Sequence, residues 1–278
     1  MAKTIHIVNG DAVVPILIES GVEGDIVVWR EMLCDGPVCG RIGSDHFWKK
    51  RLDYFEEELG ISKVDYFDKT IKELLKLEAL SNYNELVMWF EFDLFCQVNL
   101  MALSAYLYKN YRKIVTYNLV CTGKVVGSDN LHSLTDFSPS AIKKLFNNKV
   151  KLTKIDLEYA KECWELFAEN NIEKIAVFDF NKKERFPYFQ LAMNQHLKRF
   201  KTINGLNEIQ VKILNIINTS ALTANEIVRN VLIWQQQETV YGFGDMQYFL
   251  YLKKLRDFVQ ISEEKYFLNA TGKAIINQ

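Results

Sequence analysis

Two carboxylates, Glu91 and Asp93, stand two positions apart where the apolar run LVMWF gives way to charge, and Gln97 follows a turn later. Carboxylates placed this way can act as a general base, recognise an amine, or hold a divalent cation against a phosphoester. Other apolar segments also end in polar groups. TIHIV runs into Asn9, Gly10 and Asp11, DIVVW runs into Arg30 and Glu31 with Asp35 beyond, and IVTYNLV carries Asn118. If these segments are parallel strands, their polar ends share one rim, where open α/β sheets bind ligands. The acids Asp11, Glu31, Asp35, Glu91 and Asp93 outnumber Arg30, so a bare polyphosphate is repelled unless a cation or helix N-termini offset the charge. The spacing matches no metal motif, and no metal site is assigned from it. Each acid also has a structural role open to it. Asp11 and Asp93 each precede a helix-like run and can cap it, and Glu31 can pair with Arg30 or a lysine.

Several chemistries are disfavoured. Asn9-Gly10-Asp11 is not a dinucleotide fingerprint, and the stretch from Gly123 to Gly127 lacks the P-loop pattern. No Ser-His-Asp order is recognisable. His6 lies inside the first apolar segment, where a hydrogen-bonded core histidine is the default, and the helical setting of Cys96 favours a packed thiol over a nucleophile.

The elements that must position these residues follow from periodicity. TIHIV, DIVVW, LVMWF and IVTYNLV read as strands without polar alternation, as expected for a parallel sheet covered on both faces. AVVPILIES is helical, with Pro15 pushing its start towards Val13 or Val14. Trp48, Leu52, Phe55 and Leu59 share one helical face, as do Val64, Phe67, Ile71 and Leu74, and Leu94, Val98, Met101 and Ala105 mark a third. Residues 1–122 are therefore expected to form an α/β domain and 123–205 a helical connecting region, in which EKIAVFDF is strand or helix. From Leu206 the pattern changes. Asn207 with Gln210 and Thr223 with Glu226 have capping-box spacing, a third helix starts near Asp245, and VQIS with KYFLNATGK alternates like a hairpin. Three helices and a hairpin predict a winged-helix-like domain over 206–278.

At 278 residues and 49% hydrophobic content the chain has ample material for cores. A formal net charge of −1 writes neither a polybasic clamp nor an acidic tail into the overall balance. Five cysteines without a C-x-x-C pair argue against a disulfide framework or structural zinc and suit a reducing compartment. No apolar run approaches the roughly 18 residues of a membrane span, so a cytoplasmic protein without a membrane partner is expected.

HIVNGD, VVWREMLCDGPV and MWFEFDLFCQVNL, in that order, resemble the signatures of the bacterial domain-of-unknown-function family 1835, and the similarity extends through DFSPSAIKKL, RFPYF and YGFGD. The resemblance implies a Rossmann-like N-terminal domain and marks His6, Asn9, Asp11, Trp29, Arg30, Glu31, Asp35, Glu91, Asp93 and Gln97 as motif positions. It implies no cofactor and no reaction. The family pattern carries a histidine between the two acids, where this chain has Phe92.

Two functions follow as expectations. The first is a small-ligand or nucleotide site at the strand ends, with Asp11, Glu31, Glu91 and Asp93 as catalytic candidates and His6, Asn9, Gly10, Trp29, Arg30, Asp35 and Gln97 as binding candidates. The second is a ligand-sensing regulator whose C-terminal domain binds DNA through Lys253, Lys254 and Arg256. From Leu206 onward, seven Lys and Arg against seven Asp and Glu leave that domain neutral, which weakens the DNA reading because phosphate neutralisation dominates such affinity.

Overall fold

A computed structural model describes residues 3–200, 202 and 204–276 and divides them into two compact units, with the boundary between Gln190 and Leu191. In the first unit, β1 (Thr4–Val8), β2 (Asp25–Val28), β3 (Glu85–Glu91), β4 (Thr116–Thr122) and β5 (Val150–Leu152) form one sheet in the order β2-β1-β3-β4-β5. β1 to β4 are mutually parallel and β5 runs antiparallel along the edge of β4. From β1 the chain crosses to β2 on one side and returns to β3 on the other. The β1/β3 boundary is thus the topological switch point, and it fixes where a crevice can open beyond the strand ends.

The helices, in chain order, are α1 (Val13–Glu19), α2 (Asp45–Glu57), α3 (Lys63–Tyr66), α4 (Lys72–Leu75), α5 (Leu94–Lys109), α6 (Pro139–Asn147), α7 (Lys154–Glu169), α8 (Ile172–Val177) and α9 (Phe189–Lys198). α1 and α6 cover one sheet face, where Val13, Leu17 and Ile142 pack on Val8, Val87 and Trp89. α5 packs against β3 and against α7. Leu86 to Phe90 are completely buried, which is why β3 shows no alternation in sequence. Burying five such side chains contributes on the order of 10 kcal/mol before entropy is charged.

Three features differ from the sequence reading. Residues 123–190 are no connector, since they supply the edge strand β5 and the covering helices α6 and α7. α1 begins at Val13, where Pro15 placed it, but its N-cap is Ala12 and Asp11 does not cap it. Between α3 and α4 the chain makes a π turn, Phe67–Ile71, which adds a residue to the turn and shifts the buried stripe. Tyr66, Thr70, Ile71 and Leu74 face inward, leaving Val64 and Phe67 exposed.

The second unit continues with α10 (Glu208–Thr219), β6 (Leu222–Thr223), α11 (Ala224–Glu238), α12 (Asp245–Lys254), β7 (Val259–Ser262), β8 (Lys265–Leu268) and α13 (Ala270–Ile276). Its strands form a small antiparallel sheet in the order β6-β8-β7. Both expected capping boxes, Asn207 with Gln210 and Thr223 with Glu226, close the starts of α10 and α11. The second hairpin strand stops at Leu268, and α13 follows where continued strand was expected.

His196, on α9, is buried, and desolvation together with the charge of Arg199 lowers its pKa to about 3. Its unfolded value is about 6.5, so the unfolded chain binds the extra proton between these values and stability falls as pH drops through that window. Acid unfolding followed by circular dichroism between pH 7 and pH 3 is expected to lose much of its slope below about pH 6.5 in His196→Gln.

Candidate functional site

β3 ends at Glu91, and Asp93 is the N-cap of α5, its Oδ1 accepting the Cys96 N–H at 2.7 Å. A carboxylate at this position is favoured because it satisfies a free N–H and meets the positive end of the helix dipole. The cap fixes the first turn of α5, bringing Cys96 Sγ to 4.0 Å from Glu91 Oε2. The other Glu91 oxygen, Oε1, accepts the Leu134 N–H at 2.7 Å, from the segment that follows β4. One oxygen is therefore tied down while its twin faces the thiol.

Asn9, just beyond β1, completes the group from across the switch point. Its Nδ2 donates to Cys96 Sγ at 2.9 Å, and its Oδ1 accepts from Asn99 Nδ2 at 2.8 Å. Asn99 is oriented in turn by the Leu33 N–H on its Oδ1 at 3.2 Å and by the Glu31 carbonyl on its Nδ2 at 2.6 Å. This line of hydrogen bonds sets which end of the Asn9 amide faces the sulfur. Gln97 donates to the Glu91 carbonyl and, at 3.5 Å, to Cys121 Sγ. Gln97 Oε1 and Thr122 Oγ1 are buried without a hydrogen-bond partner among the described residues.

The electrostatics follow from burial. Desolvation raises the Asp93 pKa to about 7, and the Glu91 charge pushes the same way against the Cys96 N–H. Glu91 is raised mainly by desolvation, opposed by the Leu134 N–H. Burial and the two acids hold the Cys96 thiol well above its ordinary value, and burial pushes Cys121 up to about 12. An acid poised near neutrality beside a partly exposed carboxylate can accept or donate a proton. The donor atoms of Glu91, Asp93 and Cys96 lie within 4.8 Å of one another, so this trio could also hold a cation.

The remaining sequence candidates divide into separate groups. Asp11 and Arg30 form an exposed bidentate pair at 2.7 and 2.8 Å, with Arg30 also donating to the Lys69 carbonyl. Arg30 holds the Asp11 carboxyl below its usual range. Glu31 is completely buried against Arg51 and Tyr66. The Asp35 carbonyl accepts from Arg51 at 2.7 Å. Trp29 is packed at 2% exposure, and Gly10 makes the turn after β1 with φ of 107°. His6 accepts from Trp89 Nε1 on its Nδ1 and meets the Glu23 carbonyl with its Nε2, each at 3.2 Å, and burial lowers its pKa. It is a satisfied core histidine within β1. Asn118 sits in the middle of β4 and donates to Glu85, away from the rim that the strand reaches at Thr122.

In the second unit, Lys253, Lys254 and Arg256 are exposed at and just beyond the end of α12. Asp245 opens that helix, and the β7–β8 turn carries Glu263 and Glu264.

Asn9, Glu91, Asp93 and Gln97 are thus brought together, and Cys96, Asn99 and Thr122 join them. Among the added residues the sequence did carry a signal for Asn99, which, like Gln97, is a polar residue inside an otherwise apolar helical run. Fold and site define the class as an α/β protein with a polar, acid-bearing cluster at the carboxyl end of a mostly parallel sheet. No protein-family model and no curated protein matches the chain.

Proposed function

We propose that this chain is a Rossmann-like protein of domain-of-unknown-function family 1835 that binds a small molecule or nucleoside-type ligand at the β1/β3 switch point. The observation that carries this reading is the convergence of Asn9, Glu91, Asp93 and Cys96 from two neighbouring strand ends, oriented by a line of hydrogen bonds through Asn99. Acids that pair with no lysine, arginine or histidine among the described residues favour the hydroxyl, amino or base-edge part of a ligand over a bare phosphate. With a bound hydroxyl, Glu91 is the proton acceptor and Asp93 the acid that helix α5 holds in place. The absence of any helix long and apolar enough to cross a membrane, among the described residues, agrees with a cytoplasmic assignment.

A thermal-shift panel of nucleosides, nucleotides, phosphosugars and polyamines tests the reading. At a hundredfold excess over Kd, a ligand adds about 2.7 kcal/mol, which raises Tm by about 5 to 10 °C. That shift is expected to vanish in Glu91→Gln and to persist in Asp11→Asn. A panel in which no compound moves Tm, or a hit indifferent to Glu91, ends the proposal.

The second reading takes the C-terminal unit as a winged-helix-like domain that binds DNA, and the exposed cations Lys253, Lys254 and Arg256 favour it. The acids Asp245, Glu263 and Glu264 weigh against it, because each offsets phosphate neutralisation on the elements such domains present to DNA. Gel shifts on genomic fragments at low and physiological salt are expected to show no band that the Lys253/Lys254/Arg256 alanine variant abolishes. A retained, sequence-selective band lost in that variant would establish the regulator instead.

A further inference from the structure

We propose that Glu91, Asp93 and Cys96 bind a divalent transition-metal ion of zinc-like character, leaving a coordination position open towards the ligand site. This inference deepens the proposed function and rests on the same strand ends.

The donor set selects the ion. Two carboxylates and one sulfur match the mixed preferences of zinc, whereas magnesium and calcium take oxygen alone. The geometry also fits. Zinc–oxygen and zinc–sulfur bonds of about 2.0 and 2.3 Å at a tetrahedral angle put the two donors about 3.5 Å apart. Cys96 Sγ and Glu91 Oε2 stand 4.0 Å apart, so a contraction of about half an ångström closes the edge. All three donor atoms already lie within 4.8 Å of one another.

Three further observations point to a ligand here. First, Thr122 is 3% exposed, and its Oγ1 has no partner among the described residues. Thr122 and Glu91 are register partners on adjacent parallel strands, so their side chains leave the same face of the sheet side by side. The orphan hydroxyl therefore leaves the sheet on the same side as the Glu91 side chain and next to its origin, where a metal-bound water or ligand oxygen would satisfy it. Second, among the described residues no lysine, arginine or histidine pairs with Glu91 or Asp93, although Asp93 is buried. Buried acids are ordinarily matched by a cation, a metal ion included. Third, each donor is oriented from behind: Glu91 by the Leu134 N–H, Asp93 by the Cys96 N–H, and Cys96 by the Asn9 amide. Such outer hydrogen bonds are what fix ligands in metal sites.

The test uses the full chain after treatment with chelator. Cobalt(II) is expected to bind with a sulfur-to-cobalt charge-transfer band in the near ultraviolet, and zinc to displace it, while magnesium does neither. Cys96→Ser, which leaves the Asp93 cap intact, should abolish the band, and Glu91→Gln, which removes a ligand, should weaken zinc binding in calorimetry by more than the about 10- to 100-fold that loss of an outer-shell partner costs. Far-ultraviolet circular dichroism on both variants separates loss of a ligand from loss of fold. Cys39→Ser is the control for a more exposed thiol and should change nothing. Cobalt binding without the sulfur band, a band that survives Cys96→Ser, or zinc affinity indifferent to Glu91 overturns the inference. The two proposals fail separately. A compound that stabilises chelator-treated protein through Glu91 while zinc does not bind removes the metal alone, and zinc binding with no organic stabiliser removes the ligand reading alone.

Discussion

Replacing Arg51 with methionine is expected to lower the unfolding free energy of the first unit by about 3 to 5 kcal/mol. Arg51 and Glu31 are both completely buried and meet at 2.9 Å, while Tyr66 donates its hydroxyl to the other Glu31 oxygen. The remaining guanidinium hydrogens go to the carbonyls of Met32, Asp35 and Pro37 at 3.3, 2.7 and 3.3 Å. Arg51 therefore neutralises a buried acid and also staples the loop that follows β2. Methionine fills a similar volume, so most of the loss comes from leaving the buried Glu31 charge without its counter-ion, with only the Tyr66 hydroxyl and the Met32 N–H as donors, and from the lost bonds to the Asp35 and Pro37 carbonyls; the Met32 carbonyl keeps the Asp35 N–H. A Tm lower by about 10 °C and a lower urea midpoint, followed by tryptophan fluorescence, are the expected readings. Adding Glu31→Gln to Arg51→Met removes the stranded charge, so the double variant should regain part of the loss. If the two changes simply add, the pair is not the unit described. The Glu31 carbonyl also holds Asn99, so Arg51→Met should weaken any ligand of the Asn9 and Glu91 group.

The strands could be read because a strand buried on both faces needs continuous apolar residues, and Leu86 to Phe90 provide them. The position of Asp93 was equally open, because a carboxylate directly before a helical run is a favoured cap, although Asp11, two positions ahead of α1, makes no such bond. What periodicity could not supply was partnership. Arg51 lies in the charged stretch KKRLDYFEE, where nothing distinguishes it from an exposed helix residue until the fold turns it onto Glu31. Glu31, Asp11 and Glu91 looked alike as acids beyond strands. The crossover sends one into a buried pair, one to the surface with Arg30, and one to the switch point. Thr122 closes an apolar strand and gains meaning only through its register with Glu91. The three-residue β5, with Lys151 at its centre, is too short and too polar to announce itself, so its neighbourhood read as a connector. The π turn defeated a strict 3.6-residue stripe for the same kind of reason, since one added residue changes which side chains face inward.

Asp93→Asn is expected to stabilise the chelator-treated protein fully at pH 8, only in part at pH 5, and to leave it nearly unchanged below pH 4. The Asp93 pKa of about 7 lies above the unfolded value of 3.8, so the folded state holds a proton that the unfolded chain releases. The stability from that proton is complete below pH 4 and is lost as pH rises to about 7, with no further change above. The full shift corresponds to roughly 4 kcal/mol, an order-of-magnitude figure for a buried group beside another acid. Asparagine keeps an oxygen for the Cys96 N–H and is as good an N-cap as aspartate, so the variant removes the charge and not the cap. Urea unfolding at intervals from pH 5 to pH 8 should show the wild-type chain losing stability while Asp93→Asn stays flat. Asp93→Ala, which loses the cap as well, should fall about 1 kcal/mol below Asp93→Asn at every pH. Parallel wild-type and Asp93→Asn profiles would mean that the carboxyl is ionised at little cost and is only a cap. A fold that keeps an acid where the amide is more stable spends stability on negative charge at this one point. That is what a site for a cation or a proton-donating ligand at the end of β3 requires.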